Sequence, residues 1–323
     1  MGDKSWKDHF LKSGLPLEYE VKQALVEMGC TAWDEYSYIK ADENKIEKEF
    51  SYDIDANYWR GKYSINFMIE CKYKILPTKW LFLPDPYSYQ QDVTRNSFLH
   101  PIDYFKDDKF IFTDTPYDKI QQSLGPFCLK GTEILNEKAD DTTITKAISQ
   151  LSYAFVEKVI DSFQNQLEEA LFPDTTFLNI PVIITNADLY LCDTNMTISK
   201  VQAAEKMEDI SQKHDFLFFH NKIGEQLRQY NATALWEYFT KIGESNFKDK
   251  NKSFSEDLPH FINVVADSYC PEVILIMRHD PSLSGYKKLF DYINFLCTPS
   301  ETLSDKIVEI NAEWKAKMER LIK

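Results

Sequence analysis

Residues 67–73, FMIECKY, are the segment best suited to a chemical role, because a glutamate and a lysine stand two positions apart in an apolar run. Side chains alternate between the two faces of a β-strand, so Glu70 and Lys72 point the same way. Cys71 and its apolar neighbours then point into a core. Two explanations compete for this pattern: a salt bridge at the end of a strand, or a metal-dependent active site.

A second segment, residues 50–56, adds two acids to the pattern. Its sequence FSYDIDA puts Asp53 and Asp55 on one face and apolar side chains on the other. Gly61, in the short connection to the next strand, favours a hairpin turn. Antiparallel pairing would set both aspartates beside the glutamate and the lysine. Converging carboxylates repel each other unless a cation neutralises them, and oxygen ligands select Mg²⁺ or Mn²⁺.

The spacing of these residues resembles the PD-(D/E)xK nuclease superfamily, which has the restriction-endonuclease-like fold. The match is Asp55, then fourteen residues, then Glu70-Cys71-Lys72. Residues 14–29 also resemble the first helix of Mrr-type domains of this fold, which opens with a glycine, carries a glutamate soon after and closes at a glycine. The resemblance implies an α/β fold with an αβββαβ core and a mixed central sheet flanked by helices.

The helical pattern of residues 14–29 supports this independently, because its apolar side chains recur at helical spacing. They are Leu17, Val21, Ala24, Leu25 and Met28. Two acids flank this stripe, and Glu18 fits the family position better than Glu20. Acids in a first helical turn also complement the helix dipole, which is the alternative explanation for either residue.

The resemblance assigns a role to each residue of the match. Asp55 and Glu70 would bind Mg²⁺ or Mn²⁺, with the backbone carbonyl of Cys71 as a third ligand. Lys72 would position the attacking water. Glu18 would bind a second metal ion or orient a metal-bound water.

Supporting residues follow on neighbouring segments. Asp53 would contact and orient the metal ligands without binding the metal itself. A helix is predicted over residues 143–171, and Gln150 on it matches a glutamine that faces the site in many members of the superfamily. Tyr153 departs by one residue from the related Gln-x-x-x-Tyr spacing, so its role stays open. A solvated polar face of the helix is the alternative explanation for both residues.

Composition sets the broad class of the protein. The chain has 323 residues, is 43% hydrophobic and contains 9 glycines, so it is long enough to bury a sizeable core. It shows neither a signal peptide nor an apolar run of the roughly 20 residues that span a bilayer, so no membrane partner is expected. The 6 cysteines lack a CxxC pair. They are predicted to be reduced core residues of a cytoplasmic protein.

The charge of the chain opposes part of this interpretation. Its net charge is −14, whereas nucleic-acid-binding proteins usually carry a basic surface. The acidity leaves room for an activating protein partner, a homodimer or a small nucleotide substrate. It also favours the main alternative, which is a catalytically silent module of the same fold that binds nucleic acid or a partner protein.

The segments combine into one elaborated domain over residues 1–323. The predicted core comprises residues 14–74, 143–191 and 268–280, with one strand over 179–191 and another over 271–277. Residues 75–142 form an insertion, in which Trp80, Phe82, Tyr87 and Tyr89 either stack on bases or make a small aromatic core. Residues 192–267 and 281–323 form a helical elaboration, with a short strand over 216–219.

The histidines offer little alternative chemistry, because they show no metal-binding spacing. His279 and Asp280, directly after a predicted strand, are the one pair with a suggestive position. The sequence therefore predicts a metal-dependent nuclease with DNA as the favoured substrate. By analogy with restriction systems, its setting would be restriction or defence.

Overall fold

The computed structural model describes residues 3–41, 47–85, 98–105, 124–135, 138–140, 142–167, 174–250, 257–298 and residue 312. Its helices are α1 Asp3–Lys12, α2 Leu15–Glu27, α3 Thr142–Leu167, α4 Ile198–Ala203, α5 Glu225–Ile242, α6 Glu244–Lys250, α7 Leu258–Ser268 and α8 Ser284–Cys297. Its strands are β1 Thr31–Ala41, β2 Glu47–Arg60, β3 Tyr63–Lys72, β4 Lys79–Pro84, β5 Pro101–Ile102, β6 Phe127–Leu135, β7 Lys138–Asp140, β8 Thr176–Thr185, β9 Asp188–Cys192, β10 Ser211–His214, β11 Phe216–His220 and β12 Val273–Arg278.

These elements form an α/β fold with a large mixed sheet flanked by helices. The strand order is β1-β2-β3-β8-β12-β11-β6-β4-β9-β10, with β5 beside β8 and β7 beside β6. Strands β1, β2 and β3 form an antiparallel meander, and β3 lies parallel to β8. Helix α2 precedes this meander in the chain and α3 precedes β8. The segments with candidate site residues therefore share one end of the sheet.

The sheet separates two apolar layers. One face of β3 packs with α2 and α8, through Ile65, Phe67, Ile69 and Cys71. This is the inward face that the sequence predicted. The opposite face of β3 carries Met68 and packs with α3. Alternation thus places β3 in both layers, and all of its residues except Asn66 and Lys72 are buried.

Helix α2 forms where the sequence predicted it. Leu17, Val21, Ala24 and Leu25 are buried and hold the helix against the sheet. A proline stands in its first turn, where the missing N–H costs nothing. The helix ends before Gly29, whose φ of 92° belongs to the left-handed region that glycine adopts most easily.

Strand β2 does not alternate regularly along its whole length. Tyr52 packs in the α3 layer with Met68, whereas Ile54, two residues later, packs in the α2 layer. The ladder between β2 and β3 begins at the pair of Ile54 and Ile69. The ladder between β1 and β2 omits the pair of Glu35 and Asp53. Strand β2 is therefore irregular at Asp53, where its side chains change layers.

Several predicted elements differ from the structure. The strand predicted over 179–191 is two strands, β8 and β9, because the chain bends at Asn186. The side-chain amide of Asn186 binds the backbone N–H of Lys74 at 2.6 Å and its carbonyl at 2.7 Å. The insertion of 75–142 supplies strands β4 to β7 of the same sheet. The region 192–267, predicted to be helical apart from one short strand, also contains β10.

The aromatic residues of the insertion belong to the core. Trp80 and Phe82 are fully buried and pack with α3, so these two are not available to stack on bases. Tyr87, Tyr89 and the helix predicted over residues 302–323 lie outside the described residues, apart from residue 312.

All six cysteines are buried and unpaired, as the sequence predicted. In the described part of the chain, every helix is too short or too polar to cross a membrane.

One glycine tests the packing of β4 against β6. A Cβ atom on Gly131 would lie 2.3 Å from a ring carbon of the buried Phe82. We expect Gly131→Ser to lower the free energy of unfolding by about 1–3 kcal/mol through overpacking. Denaturant unfolding gives this value. Gly224→Ser is the matched control, because a Cβ there meets no atom within 4 Å and serine suits that helix N-cap. Equal stability of the two variants would contradict the described packing.

Candidate functional site

The acid–lysine pair lies at the end of β3. Glu70 is 0% exposed, and the Lys72 amine forms an ion pair with its Oε1. The hydroxyl of Thr185 donates a hydrogen bond of 2.7 Å to the Lys72 carbonyl and so joins the ends of β3 and β8. The salt bridge considered from the sequence is therefore present. It satisfies one oxygen of Glu70 and leaves the other to be explained.

Asp53 joins this pair through the backbone of β3. Its Oδ2 accepts a hydrogen bond of 2.6 Å from the N–H of Cys71. Because the β2–β3 ladder begins only at Ile54, the carboxylate of Asp53 occupies the place where a strand carbonyl would otherwise accept this bond. The irregularity of β2 thus brings the Asp53 carboxylate to the backbone of Cys71, the residue between Glu70 and Lys72.

Asp55 lies in a different set of contacts. Its Oδ1 accepts a hydrogen bond of 2.7 Å from the Tyr52 hydroxyl, and its Oδ2 lies 2.8 Å from Lys158 Nζ on α3. The sequence placed Asp53 and Asp55 side by side next to Glu70, whereas the structure gives the two aspartates different hydrogen-bond partners. The prediction assumed unbroken alternation along β2, whereas the strand is irregular at Asp53.

Glu18 faces the group from α2. The pKa of its carboxyl is raised by burial and then by the charge of Asp53, while Lys72 lowers it. Gly14 has a φ of 87°, and a Cβ atom there would lie 3.0 Å from Glu18 Oε1. A glycine at this position therefore gives the carboxylate room to fold against the start of its own helix.

Glu20, the second choice, belongs elsewhere. Its Oε2 lies 3.0 Å from Nε2 of His279, whose Nδ1 lies 2.9 Å from the Tyr286 hydroxyl. Asp280 accepts hydrogen bonds from Ser282 and Ser284 at the start of α8. The contacts of the His279–Asp280 pair therefore link α8 to the sheet and to α2.

Gln150 fastens α3 to the meander beside the site. Its Nε2 donates a 3.1 Å hydrogen bond to the Ser51 carbonyl, and its backbone carbonyl accepts one from the Tyr38 hydroxyl. These contacts bring Gln150 to the backbone of β2. The Tyr153 ring instead lies 3.0 Å below the amine of Lys40, in a cation–π contact away from the acids.

Burial dominates the electrostatics of Glu70. It raises the pKa of the carboxyl to about 7; the charge of Asp53 adds to the shift, and Lys72 opposes it. Burial also raises the pKa of Asp53, against the hydrogen bond from Cys71. Three acids with raised pKa values, Glu18 included, and one lysine thus share a largely buried region.

The donor set fits a hard cation. The Oε2 of Glu70 is buried and has no hydrogen-bond partner among the described residues. Such an atom costs free energy unless something binds it. Cys71 directs its thiol into the α2 layer, which leaves its backbone carbonyl as the oxygen that the resemblance implies. Within the described ranges, no three His, Cys, Asp or Glu side chains are already arranged around a metal position. Mg²⁺ commonly takes one or two carboxylates and completes its shell with water.

Comparisons of the chain with protein-family models, with curated proteins and with solved structures found no match. Within the chain, the residue that the sequence analysis missed is Lys158, the buried partner of Asp55. It stands on the buried face of α3 among apolar residues. A lysine on such a face was the available signal for a paired carboxylate.

The raised pKa of Glu70 predicts how stability depends on pH. The pKa rises from 4.5 to about 7 on folding, so the folded state binds this proton more tightly than the unfolded chain. Stability should therefore fall as pH rises from about 4.5 to 7. Glu70→Gln should remove this loss and gain on the order of 3 kcal/mol relative to wild type across that window. Urea unfolding at a series of pH values measures it, with the exposed Glu27→Gln as control. Parallel curves for wild type and Glu70→Gln would contradict the assignment.

Proposed function

We propose that the protein is a metal-dependent nuclease that hydrolyses phosphodiester bonds in nucleic acid, with DNA as the favoured substrate. The observation that carries this proposal is the fully buried Glu70 carboxylate. One of its oxygens is paired with Lys72, and the other has no hydrogen-bond partner in the part of the chain that the structure describes. An ion pair with Lys72 alone leaves the second, buried oxygen of Glu70 without compensation for its burial. A cation bound at this oxygen would supply that compensation.

The arrangement of elements supports a restriction-endonuclease-like core. Helix α2 is followed by the β1–β2–β3 meander, and α3 leads into β8 beside and parallel to β3. This order of elements agrees with the αβββαβ order that the resemblance implies, with β4 to β7 inserted before α3. The acids lie at one end of the meander, where β2 and β3 part.

The geometry exchanges the roles of the two aspartates. We assign Asp53 and Glu70 as the carboxylates that hold Mg²⁺ or Mn²⁺, with Glu18 close by and Asp55 as the partner of Lys158. A bound ion of this kind polarises a phosphate and lowers the pKa of a bound water.

Lys72 has the position of a residue that orients water. Its amine is held by Glu70 while its side chain stays 22% exposed, so it reaches the solvent side of the site. An ammonium group there can hold a water against the phosphate and stabilise negative charge that develops on it. Gln150 has a supporting role, because it fixes β2 next to Asp53.

A second function remains open because of the charge of the chain. A net charge of −14 is unusual for a protein that binds nucleic acid, and it favours a catalytically silent module that binds a protein partner. Such a module does not need the cation. Metal binding therefore separates the two functions before any substrate is known.

Lys72 provides the test of catalysis. We expect wild-type protein to cleave plasmid or single-stranded DNA with Mg²⁺ or Mn²⁺, and Lys72→Ala to lower the rate at least about 100-fold. Addition of EDTA should abolish cleavage. Lys62→Ala, in the turn at the opposite end of β3, is the control and should keep the wild-type rate. Cleavage by a purified Lys72→Ala protein at the wild-type rate would overturn the assignment.

The two aspartates can be distinguished by thermal denaturation with Mn²⁺. At a concentration of 100 times Kd, a bound ion adds about 2.7 kcal/mol to stability. We expect wild type and Asp55→Asn to gain stability on addition of Mn²⁺, and Asp53→Asn and Glu70→Gln to lose most of that gain. Without metal, Asp55→Asn should itself be less stable by about 1–3 kcal/mol, because Lys158 loses its closest carboxylate. A Mn²⁺ response that is lost in Asp55→Asn and Glu70→Gln but kept in Asp53→Asn would restore the original assignment.

A further inference from the structure

A polar cleft of about 350 Å³ lies on the α3 side of the meander. Along β3, Met68 stands between this cleft and Glu70. We call it the Trp cleft; its lining includes Trp33, Asp55, Asn57, Trp59, Asn66 and Lys158. Its volume is at the lower end of the range for small-molecule sites, about 300–1,000 Å³. It therefore suits a ligand about the size of one nucleoside.

The walls of the Trp cleft are built by a chain of hydrogen bonds. The amide of Asn57 donates to Ser64 at 2.7 Å and to Asn66 at 2.7 Å, and Asn66 donates to the fully buried Asn179 at 2.8 Å. Because both side-chain N–H groups of Asn57 donate to these neighbours, its side-chain oxygen is the group that it can offer to a ligand. Amides fixed in this way recognise hydrogen-bonding edges rather than charge.

Two tryptophans at the rim give the cleft a surface for flat rings. Trp33 is 52% exposed and Trp59 is 47% exposed, although large aromatic side chains are usually more buried than this. Trp33 pairs across the ladder with Asp55, and Trp59 follows Asp55 by four residues on the same face of β2. Exposed indoles beside fixed amides are suited to stacking and edge recognition together.

The charge in the cleft excludes a phosphate as its occupant. Asp55 and Asp161 contribute two carboxylates, and Lys158 contributes one amine that both of them approach, at 2.8 and 3.7 Å. Their sum is negative, and the amine is already neutralised. An uncharged planar ring with hydrogen-bond donors fits these walls better than an anion.

We propose that the Trp cleft binds a single unstacked nucleobase of a single-stranded segment of nucleic acid. Asn66 and Glu70 alternate on the same face of β3, four residues or ~13 Å apart. A strand held by its base in the cleft would therefore lie close to the acids. The inference deepens the proposed function, because it names unpaired bases as the part of the substrate that the protein recognises.

The test measures binding without catalysis. A fluorescently labelled single-stranded DNA of eight nucleotides is titrated in EDTA, and its anisotropy is compared with that of an abasic strand of equal length. We expect wild type to bind the intact strand and to bind the abasic strand much more weakly. Trp33→Ala and Trp59→Ala should each weaken binding of the intact strand about 5- to 150-fold, while Trp33→Phe and Trp59→Phe should keep most of it. The affinity should depend little on salt, because few phosphates are contacted.

Trp6→Ala is the matched control, since Trp6 is 56% exposed on α1. The proposal would be overturned if wild type did not bind the strand or bound intact and abasic strands equally. It would also be overturned if Trp6→Ala caused an equal loss of binding or if a neutral oligosaccharide displaced the strand. Circular dichroism confirms that the variants fold. Cleavage with Mg²⁺ is assayed separately, so base binding without cleavage would refute the nuclease and leave the cleft, and the reverse result would refute the cleft alone.

Discussion

The burial of the Glu70 carboxylate is the constraint on which this end of the molecule depends. A buried charge is costly unless it is paired and hydrogen-bonded, and a buried ion pair contributes little net stability. Lys72 compensates for part of the cost, and a raised pKa compensates for another part by favouring the protonated form. The neighbouring acids increase the cost. In the proposed function, a bound cation would offset this cost, because it would neutralise the converging carboxylates.

The resemblance predicted an α/β fold with a mixed sheet flanked by helices, and the structure has these features. The sequence also predicted α2, the hairpin and the inward face of β3, because these follow from local periodicity. Ile65, Phe67 and Ile69 are buried against the α2 layer, as alternation requires. It failed at Asp53 and Asp55, because a strand irregularity changes the face of a side chain without any change in the apolar pattern. It also failed at Asn186, where one side chain bonded to two backbone groups divides an apolar run into β8 and β9. Both failures concern contacts between segments distant in the sequence.

The meander has two chemically different regions on its α3 side. Around Glu70 the environment is charged and closed, and it suits a cation. Around Asn57 and Asn66 it is built from amides and aromatic rings, and it suits an uncharged ligand. Met68, fully buried under α3, lies between the two regions and separates them. This separation keeps the Asp55–Lys158 pair with the cleft and leaves Asp53 with the acids.

Helix α3 holds β2 at two points, one on each side of the irregularity. Gln150 binds the backbone at Ser51, and Lys158 binds Asp55. Eight residues of helix span ~12 Å, and four residues of strand span ~13 Å, so the two intervals agree in length. The spacing of Gln150 and Lys158 on α3 therefore fixes the number of β2 residues between their two contacts. A single residue inserted or removed between Ser51 and Asp55 would displace Asp53 even if every side chain of the site were retained.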